Sequence, residues 1–259
     1  MFQFNVKFFG TGKNGRDNVF MEGEKIYGSY GEDAFFVKRN LDKMFLGVLD
    51  GVNGVKTSGI DPAEFPFEFC KTLSYSLDET SDVKADIYNT FDKLTDRKVF
   101  GSSTVNISTL DKNTGEFKNY NIGDSCFMIL RKIEGSYTVF YKSKAEQYSF
   151  NFPHQLSNLR DYKVPVTEYS CSLKDGDVIV MASDGLWDNL FDTEIIEKIK
   201  CENYEKVFMD ELNDLFTNID DYRRNGPFRL NAWENNVKYN THSKQDDYTV
   251  IVTHVCFNN

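Results

Sequence analysis

Two short stretches decide the fold predicted for this chain: VLDG at Val48-Leu49-Asp50-Gly51 and, far downstream, ASDG at Ala182-Ser183-Asp184-Gly185. Each contains the end of an apolar run, residues 45–49 and 178–182, which is typical of a buried β-strand. An aspartate at the exit of such a strand is held rigidly at the rim of a sheet. The glycine after it permits a sharp turn and leaves its carbonyl accessible.

Oxygen ligands held in this way suit hard cations such as magnesium or manganese. A third acidic position, the pair Asp246-Asp247, opens the last predicted strand. The three acidic positions lie far apart in the sequence. The sequence therefore predicts a metal site assembled from distant parts of the chain.

Length and charge set limits on the class of protein. The chain has 259 residues, 40% of them hydrophobic, with a net charge of −10 and a pI near 4.9. This length is enough for a large core. The acidic balance disfavours binding to nucleic acid or to an anionic membrane, because both require a basic face. No apolar stretch reaches the roughly 18–20 residues of a membrane span.

The cysteines and the N-terminus bear on the compartment. The five cysteines have no CxxC spacing, and only three histidines are present. This pattern disfavours a zinc site and indicates reduced thiols in a reducing compartment. The first residues lack the features of a secretory signal or an amphipathic presequence. We expect an intracellular protein of the cytoplasm or the mitochondrion.

Alternating apolar residues and turn residues predict a series of antiparallel hairpins. The predicted strands are 34–38, 44–49, 104–110, 117–122, 126–132, 137–141, 166–173, 177–182 and 248–256. Before them, the first thirty residues predict a short edge strand followed by a loop. Asp61 and Pro62 mark a helix start, and further helices are predicted at 83–97, from Asp192, and beyond it.

Blocks of hairpins with inserted helix pairs favour an α+β layered fold rather than alternating βαβ units. Residues 151–162 and 220–244 are polar and irregular, and we interpret both as loops. No internal repeat or low-complexity linker divides the chain. We therefore expect one domain over residues 1–259.

Six motifs occur in an order that is far more specific than any one of them. They are GED (31–33), LDG (49–51), GSST (101–104), GDS (123–125), SDGLWDN (183–189) and DDYTVIV (246–252). In this order the chain resembles the metal-dependent protein serine/threonine phosphatases of the type 2C, or PPM, family, over residues 31–255. FNFPHQL (150–156) and GIDP (59–62) are most similar to the small branch whose members often act in mitochondria.

The resemblance implies two central antiparallel sheets packed face to face and flanked by antiparallel helix pairs, an α-β-β-α sandwich. It also implies a centre of two Mn²⁺ or Mg²⁺ ions at one end. Carried over motif by motif, Asp50 bridges both ions and the Gly51 carbonyl binds one of them. Asp184 and Asp246 bind the other ion.

The remaining motif positions have roles nearer the edge of the implied centre. Glu32 holds a metal-bound water, with Asp33 beside it. Asp124 matches the ligand of a third, weaker ion. Asp247 occupies a position where relatives often have asparagine, and it is a candidate for support of the ligands rather than for direct binding.

The chemistry of phosphate esters agrees with this site. A phosphomonoester dianion repels a nucleophile, and two divalent ions neutralise that charge and make hydroxide available near neutral pH. In-line attack then needs no cysteine or serine nucleophile. The candidate catalytic residues are Asp50, Asp184, Asp246 and Glu32. We expect a monomeric phosphatase acting on phosphorylated proteins.

Two other hypotheses remain open at this stage. One is a catalytically weak, phosphatase-like binding or regulatory protein. The other is a phosphatase of small molecules, because the predicted loop at 220–244 suits either kind of substrate. Retention of Asp50, Asp184 and Asp246 favours an active enzyme.

The chain departs from the family pattern at three positions. Gly28 stands where many relatives have an arginine that grips phosphate, Val52 where many have a histidine, and Asn53 where a glycine is usual. Metal-bound water is a candidate replacement for the histidine as acid. The phosphate-binding candidates are Lys25, Lys38, Lys56 and Arg39. These departures predict a lower turnover than that of typical relatives.

Overall fold

The structure, a computed structural model, describes residues 1–160, 163–219 and 224–258. Its strands are β1 (Phe2–Thr11), β2 (Asp17–Glu22), β3 (Lys25–Tyr30), β4 (Asp33–Arg39), β5 (Lys43–Asp50), β6 (Ser102–Ser103), β7 (Val105–Asp111), β8 (Glu116–Ile122), β9 (Cys126–Ile133), β10 (Ser136–Lys142), β11 (Gln147–Ser149), β12 (Phe152–Pro153), β13 (Leu156–Ser157), β14 (Thr167–Ser172), β15 (Val178–Ala182) and β16 (Tyr248–Phe257). Its helices are α1 (Glu64–Ser76), α2 (Val83–Asp96), α3 (Asp184–Trp187), α4 (Asp192–Ile199), α5 (Tyr204–Thr217) and α6 (Pro227–Glu234), with a 3₁₀ helix at Asn53–Ser58.

Two antiparallel sheets contain most of the strands. The larger has seven strands in the order β14-β8-β7-β5-β4-β3-β2, and the smaller has five in the order β1-β16-β15-β9-β10. Every pairing between their strands is antiparallel. The predicted α+β class with antiparallel hairpins is confirmed.

The alternation of side chains along each strand divides the interior into three apolar layers. On β5, Leu46 and Val48 face the smaller sheet, whereas Phe45 and Leu49 face α1 and α2. On β15, Ile179 and Met181 face the larger sheet, and the alternate residues Val178, Val180 and Ala182 face α4 and α5. A strand with period-two alternation that is buried on both faces is expected in the middle of a four-layer sandwich. The predicted α-β-β-α arrangement is therefore confirmed.

The helix patterns read from the sequence agree with this packing. Phe65, Phe69, Leu73 and Leu77 are completely buried under α1. The helix begins at Glu64, slightly later than predicted, because the Asp61 carboxylate accepts the Ala63 N–H and forms a turn before the helix. No helix in the described ranges is long and apolar enough to cross a membrane.

The N-terminal prediction was wrong in two respects. β1 is ten residues long and pairs with β16 along its whole length. Residues predicted as loop form the β2–β3 hairpin at the edge of the larger sheet. Every residue of β2 is exposed, so this strand has no buried face to produce the alternation that predicts strands.

The two predicted loops also contain regular structure. In 220–244, α6 begins at Pro227, a favourable first helical residue, and buries Phe228 and Ala232. In 151–162, the short strands β12 and β13 pair with β11 and β6. Residues 161–162 and 220–223 of these predictions lie outside the described part of the chain.

Phe127 should be a main determinant of stability, because it is fully buried between the two sheets among Phe117, Tyr141 and Tyr169. Truncation of a buried phenylalanine costs about 3–5 kcal/mol. We expect Phe127→Ala to reduce the free energy of unfolding by that amount in urea denaturation. Phe100→Ala, at an exposed ring, is the control and should change it by less than about 1 kcal/mol. Equal effects of the two substitutions would contradict the packing described.

Candidate metal centre

Three aspartates that are distant in sequence converge at one end of the sandwich. Asp50, Asp124 and Asp184 each present an oxygen, and these three oxygens lie within 4.8 Å of one another. Asp50 ends β5, Asp124 lies in the turn between β8 and β9, and Asp184 begins α3. Asp124 and Asp184 are buried, and Asp50 is partly exposed. The cluster brings together three of the residues predicted as metal ligands.

Hydrogen bonds fix the end of β5 that carries Asp50. The Asp50 N–H donates to Thr104 Oγ1 at 2.9 Å, and the Thr104 N–H donates back to the Asp50 carbonyl at 2.9 Å. Thr104 Oγ1 also lies 2.7 Å from Ser125 Oγ, next to Asp124 in sequence. These contacts connect the Asp50 and Asp124 turns and restrict their relative motion.

The glycines that follow the two strand-end aspartates have a steric role. A Cβ on Gly51 would lie 2.3 Å from the Pro62 carbonyl oxygen, and one on Gly185 would lie 2.0 Å from the Asp247 carbonyl oxygen. Neither glycine has a positive φ. Close backbone packing, rather than the sharp turn predicted from the sequence, is therefore what requires glycine at these positions.

Asp33 connects the two sheets. The Ser183 hydroxyl donates to Asp33 Oδ2 at 2.6 Å, and the same hydroxyl accepts the Thr249 N–H at 3.0 Å. Burial, and after it the nearby Asp247, raises the pKa of Asp33 well above its usual value. This contact places Asp33 beside the cluster, and its role as a ligand stays a prediction.

Asp247 supports the backbone of two loops at the site. Its Oδ1 accepts the Lys13 N–H at 2.6 Å, and its Oδ2 accepts the Glu32 N–H at 3.1 Å. The side chain is almost completely buried. Both oxygens are thus used to hold loops, which agrees with the predicted supporting role.

Glu32 and Asp246 are joined to the site through lysines. Lys56 Nζ lies 2.5 Å from Glu32 Oε1. Lys13 Nζ lies 2.9 Å from Asp246 Oδ1 and 4.0 Å from Glu32 Oε2. Lys244 Nζ contacts Asp246 at 3.3 Å on the other side. Each of these carboxylates therefore has an ammonium partner.

Three residues of the site were missed by the sequence analysis: Lys13, Asp188 and Lys244. Asp188 follows Asp184 by four residues, a spacing that puts both carboxylates on one side of a helix, so the SDGLWDN motif contained a usable signal. Lys244 contacts both of these aspartates. The sequence contains no comparable pattern for Lys13 and Lys244. Their carboxylate partners are remote in sequence, or come close only through the conformation of a loop.

The crowding of carboxylates shifts their pKa values. Burial, followed by the charge of Asp184, raises the pKa of Asp124 to about 7. Burial also raises the pKa of Asp188 to about 7 and that of Asp50 well above its ordinary value. Burial acts in the same direction on Asp246, but Lys244 and Lys13 outweigh it and lower its pKa. The cluster is electrostatically unfavourable without a cation.

The donor atoms fit a hard divalent cation. Asp124 Oδ2 accepts a hydrogen bond from Gln147 at 2.8 Å, but its buried Oδ1 has no partner among the described residues. A buried carboxylate oxygen without a partner is costly unless it binds a cation. Since the converging atoms are all carboxylate oxygens, they match the preference of Mg²⁺ and Mn²⁺. A role for the Gly51 carbonyl stays a prediction.

Comparison with known proteins identifies relatives among the protein phosphatases. No family model matches the chain. The protein phosphatase PTC7 homolog of Danio rerio is 33% identical over 217 residues, which cover 77% of this chain and 70% of that protein. The PTC7 homolog of Homo sapiens is 33% identical over 216 residues, covering 76% and 68%.

Solved structures show the same fold. The X-ray structure of the photosystem II phosphatase PBCP matches with a TM-score of 0.79 and 24% identity, covering 97% of this chain and 98% of that one. The catalytic domain of the serine threonine protein phosphatase PstP, solved with 2 manganese ions, matches with a TM-score of 0.54 and 13% identity, covering 98% and 100%. The sequence relatives show that the chain belongs to the metal-dependent protein phosphatase 2C (PPM) family.

Proposed function

We propose that this chain hydrolyses phosphoserine and phosphothreonine esters in proteins at the cluster of Asp50, Asp124 and Asp184, with Asp246 and Glu32 completing the site. The observation that carries the proposal is the convergence of three carboxylates from sequence-distant turns. The membership of the chain in a family of protein phosphatases supports the reaction class.

Asp50, Asp124 and Asp184 would hold the divalent ions, with Asp246 as a further ligand. When bound, such ions neutralise the phosphate dianion and favour the ionisation of water at neutral pH. The protein supplies fixed oxygens, and Thr104 and Ser125 hold the strand end and turn that carry two of them. Glu32, with Lys56 and Lys13 beside it, would accept a proton or orient a water.

A covalent route through the nearby thiol is disfavoured. Cys126 lies two residues after Asp124 and is almost completely buried. Burial raises the pKa of this thiol to about 12, so it stays protonated at neutral pH. A protonated, buried thiol is a poor nucleophile. Direct attack by water therefore fits the site better than a cysteinyl-phosphate intermediate.

The structure explains the missing arginine at Gly28. A Cβ at this position would lie 2.2 Å from the Asn18 carbonyl oxygen and 2.9 Å from the ring of Phe35. No side chain fits there without movement of the β2–β3 hairpin. The cation that contacts the substrate phosphate must come from another element.

Of the four cations considered from the sequence, Lys56 is the one that contacts a candidate site residue, Glu32. Lys38 donates to the Leu77 carbonyl, and Lys25 lies 3.3 Å from the centre of the Tyr75 ring. Arg39 is at the far end of β4, six residues or roughly 20 Å from Asp33. The Lys56 ammonium lies on Glu32 and is about half exposed. We infer that Lys56 contacts the substrate phosphate.

The proposal also covers the identity of the metal ions, the substrates, the oligomeric state and the compartment. The ions are Mn²⁺ or Mg²⁺, the substrates are phosphorylated proteins, and the chain acts as a monomer with one catalytic domain over residues 1–259. The compartment is reducing, either the cytoplasm or the mitochondrion. All five cysteines carry free thiols, which supports this environment.

Asp184→Asn should abolish metal-dependent hydrolysis of a phosphothreonine peptide, because it removes a charged ligand from the centre of the cluster. With saturating Mn²⁺ we expect kcat to fall by at least about 100-fold. Asp210→Asn, at an exposed carboxylate on α5, is the matched control and should keep the activity. Hydrolysis that persists in Asp184→Asn, or that needs no divalent ion in the wild type, would refute the proposed site.

Lys56→Met should raise KM for the phosphothreonine peptide about tenfold or more, since a hydrogen bond to a charged group contributes about 1.5–3 kcal/mol. Lys56→Arg keeps the charge and should restore most of the affinity. Inorganic phosphate, tested as a competitive inhibitor, should lose affinity in parallel in Lys56→Met.

Lys84→Met is the matched control for Lys56, because Lys84 has nearly the same exposure and pairs with one carboxylate, Glu168, away from the site. Its kinetic constants should match the wild type. If Lys56→Met leaves both KM and phosphate inhibition unchanged, another group binds the phosphate.

The metal-free protein should lose stability as the pH rises from about 5 to 8. The pKa of Asp124 is about 7 in the folded state and near 3.8 in the unfolded state. The folded state therefore binds the proton more tightly, and the stability that this proton provides is lost as the pH rises through 7.

Urea denaturation in a chelator measures this loss, with Asp124→Asn as the control because asparagine does not ionise. Over that pH range we expect the wild type to lose on the order of 2 kcal/mol relative to Asp124→Asn. Parallel pH profiles of the two proteins would show that Asp124 is ionised normally in the fold.

A further inference from the structure

A buried lysine lies among the carboxylates of the proposed metal centre. Lys244 Nζ contacts Asp184, lies 2.9 Å from Asp188 Oδ2, and lies 3.3 Å from Asp246 Oδ2. The side chain is only 16% exposed. One ammonium group thus lies among carboxylates from the start of α3, from the residue that follows α3 and from the loop before β16. No other lysine in the described ranges has three carboxylate partners this close.

The fold holds this lysine in place through Asn189. The Asn189 amide donates to the Lys244 carbonyl at 2.8 Å and to the Gly185 carbonyl at 2.9 Å, and its oxygen accepts the Lys244 N–H at 2.9 Å. Asn189 is completely buried. The backbone of Lys244 is therefore attached to the same segment that carries Asp184 and Asp188. Such a two-sided attachment distinguishes Lys244 from a surface lysine that meets an acidic residue by chance.

The position of the ammonium group bears on how many divalent ions the site can hold. The family resemblance implied a third, weak ion at Asp124, close to Asp184. Lys244 already occupies the side of Asp184 that faces Asp188. A divalent ion bound to the same oxygens would be repelled strongly by the ammonium group at this short range.

The two main ions are compatible with the lysine. Each carboxylate has two oxygens with about four lone pairs. Lys244 contacts Oδ2 of Asp184 and Oδ2 of Asp246, which leaves Oδ1 of Asp184 without a lysine contact among the described residues. Lys13 lies on Oδ1 of Asp246 through a partly exposed side chain, which can move more easily than Lys244.

We propose that Lys244 takes the place of the third metal ion, as a resident cation that balances Asp184 and Asp188, so that this enzyme binds two divalent ions and no third. This inference rests on the proposed metal centre. It makes Lys244 a positioning residue: it orients the carboxylates and limits their charge, and it does not contact the substrate.

Calorimetric titration of the metal-free protein with Mn²⁺, up to about 5 mM, tests the proposal. The wild type and Lys244→Arg should saturate at two ions. Lys244→Met should bind a third ion in the millimolar range, and Lys244→Gln should do the same while retaining a hydrogen bond to a carboxylate. The matched control is Lys198→Met, since Lys198 is equally buried but contacts one carboxylate, Glu211, on α5.

Four results are informative. A third ion on the wild type overturns the proposal directly, without any variant. Saturation at two ions in both folded neutral variants, as verified by circular dichroism, also overturns it. No Mn²⁺ binding by the wild type would instead contradict the proposed metal centre itself, and a wild type with two ions but without phosphatase activity would contradict only the proposed function.

Discussion

Repulsion between clustered carboxylates is the constraint on which the rest of the site depends. Asp50, Asp124 and Asp184 come together at the end of the sandwich, and burial raises the pKa of all three. Folding holds them together because each is fixed by strand ends and turns that the apolar layers stabilise. This repulsion would favour the binding of a cation, and Lys13 and Lys244 relieve part of it within the protein.

The two sheets must keep a fixed relation for the cluster to persist, because Asp50 belongs to the larger sheet and Asp184 follows a strand of the smaller one. The apolar layer between the sheets supplies most of this stability. At the site itself, the contact between Asp33 and the Ser183 hydroxyl connects them by a buried hydrogen bond. Close packing at Gly51 and Gly185 brings the adjoining backbones together. The geometry of the centre is thus a property of the whole sandwich.

The sequence was a good guide wherever burial imposes a period. Strands β4 and β5 were predicted because both of their faces are packed. The apolar stripe from Phe65 to Leu77 was predicted because one face of α1 is packed. The exposed strand β2 gave no such signal. The aspartates at strand ends were found because their positions follow local rules, whereas the partners of Lys13 and Lys244 depend on how remote loops meet. No local pattern contains that information.

Anomalous diffraction from crystals loaded with Mn²⁺ tests the central claim most directly. The account predicts two strong manganese peaks, both within about 2.0–2.3 Å of carboxylate oxygens drawn from Asp50, Asp124, Asp184 and Asp246. Manganese bound elsewhere, or the absence of ordered manganese between these side chains at saturating concentration, would contradict the claim that the convergent aspartates form the catalytic metal centre.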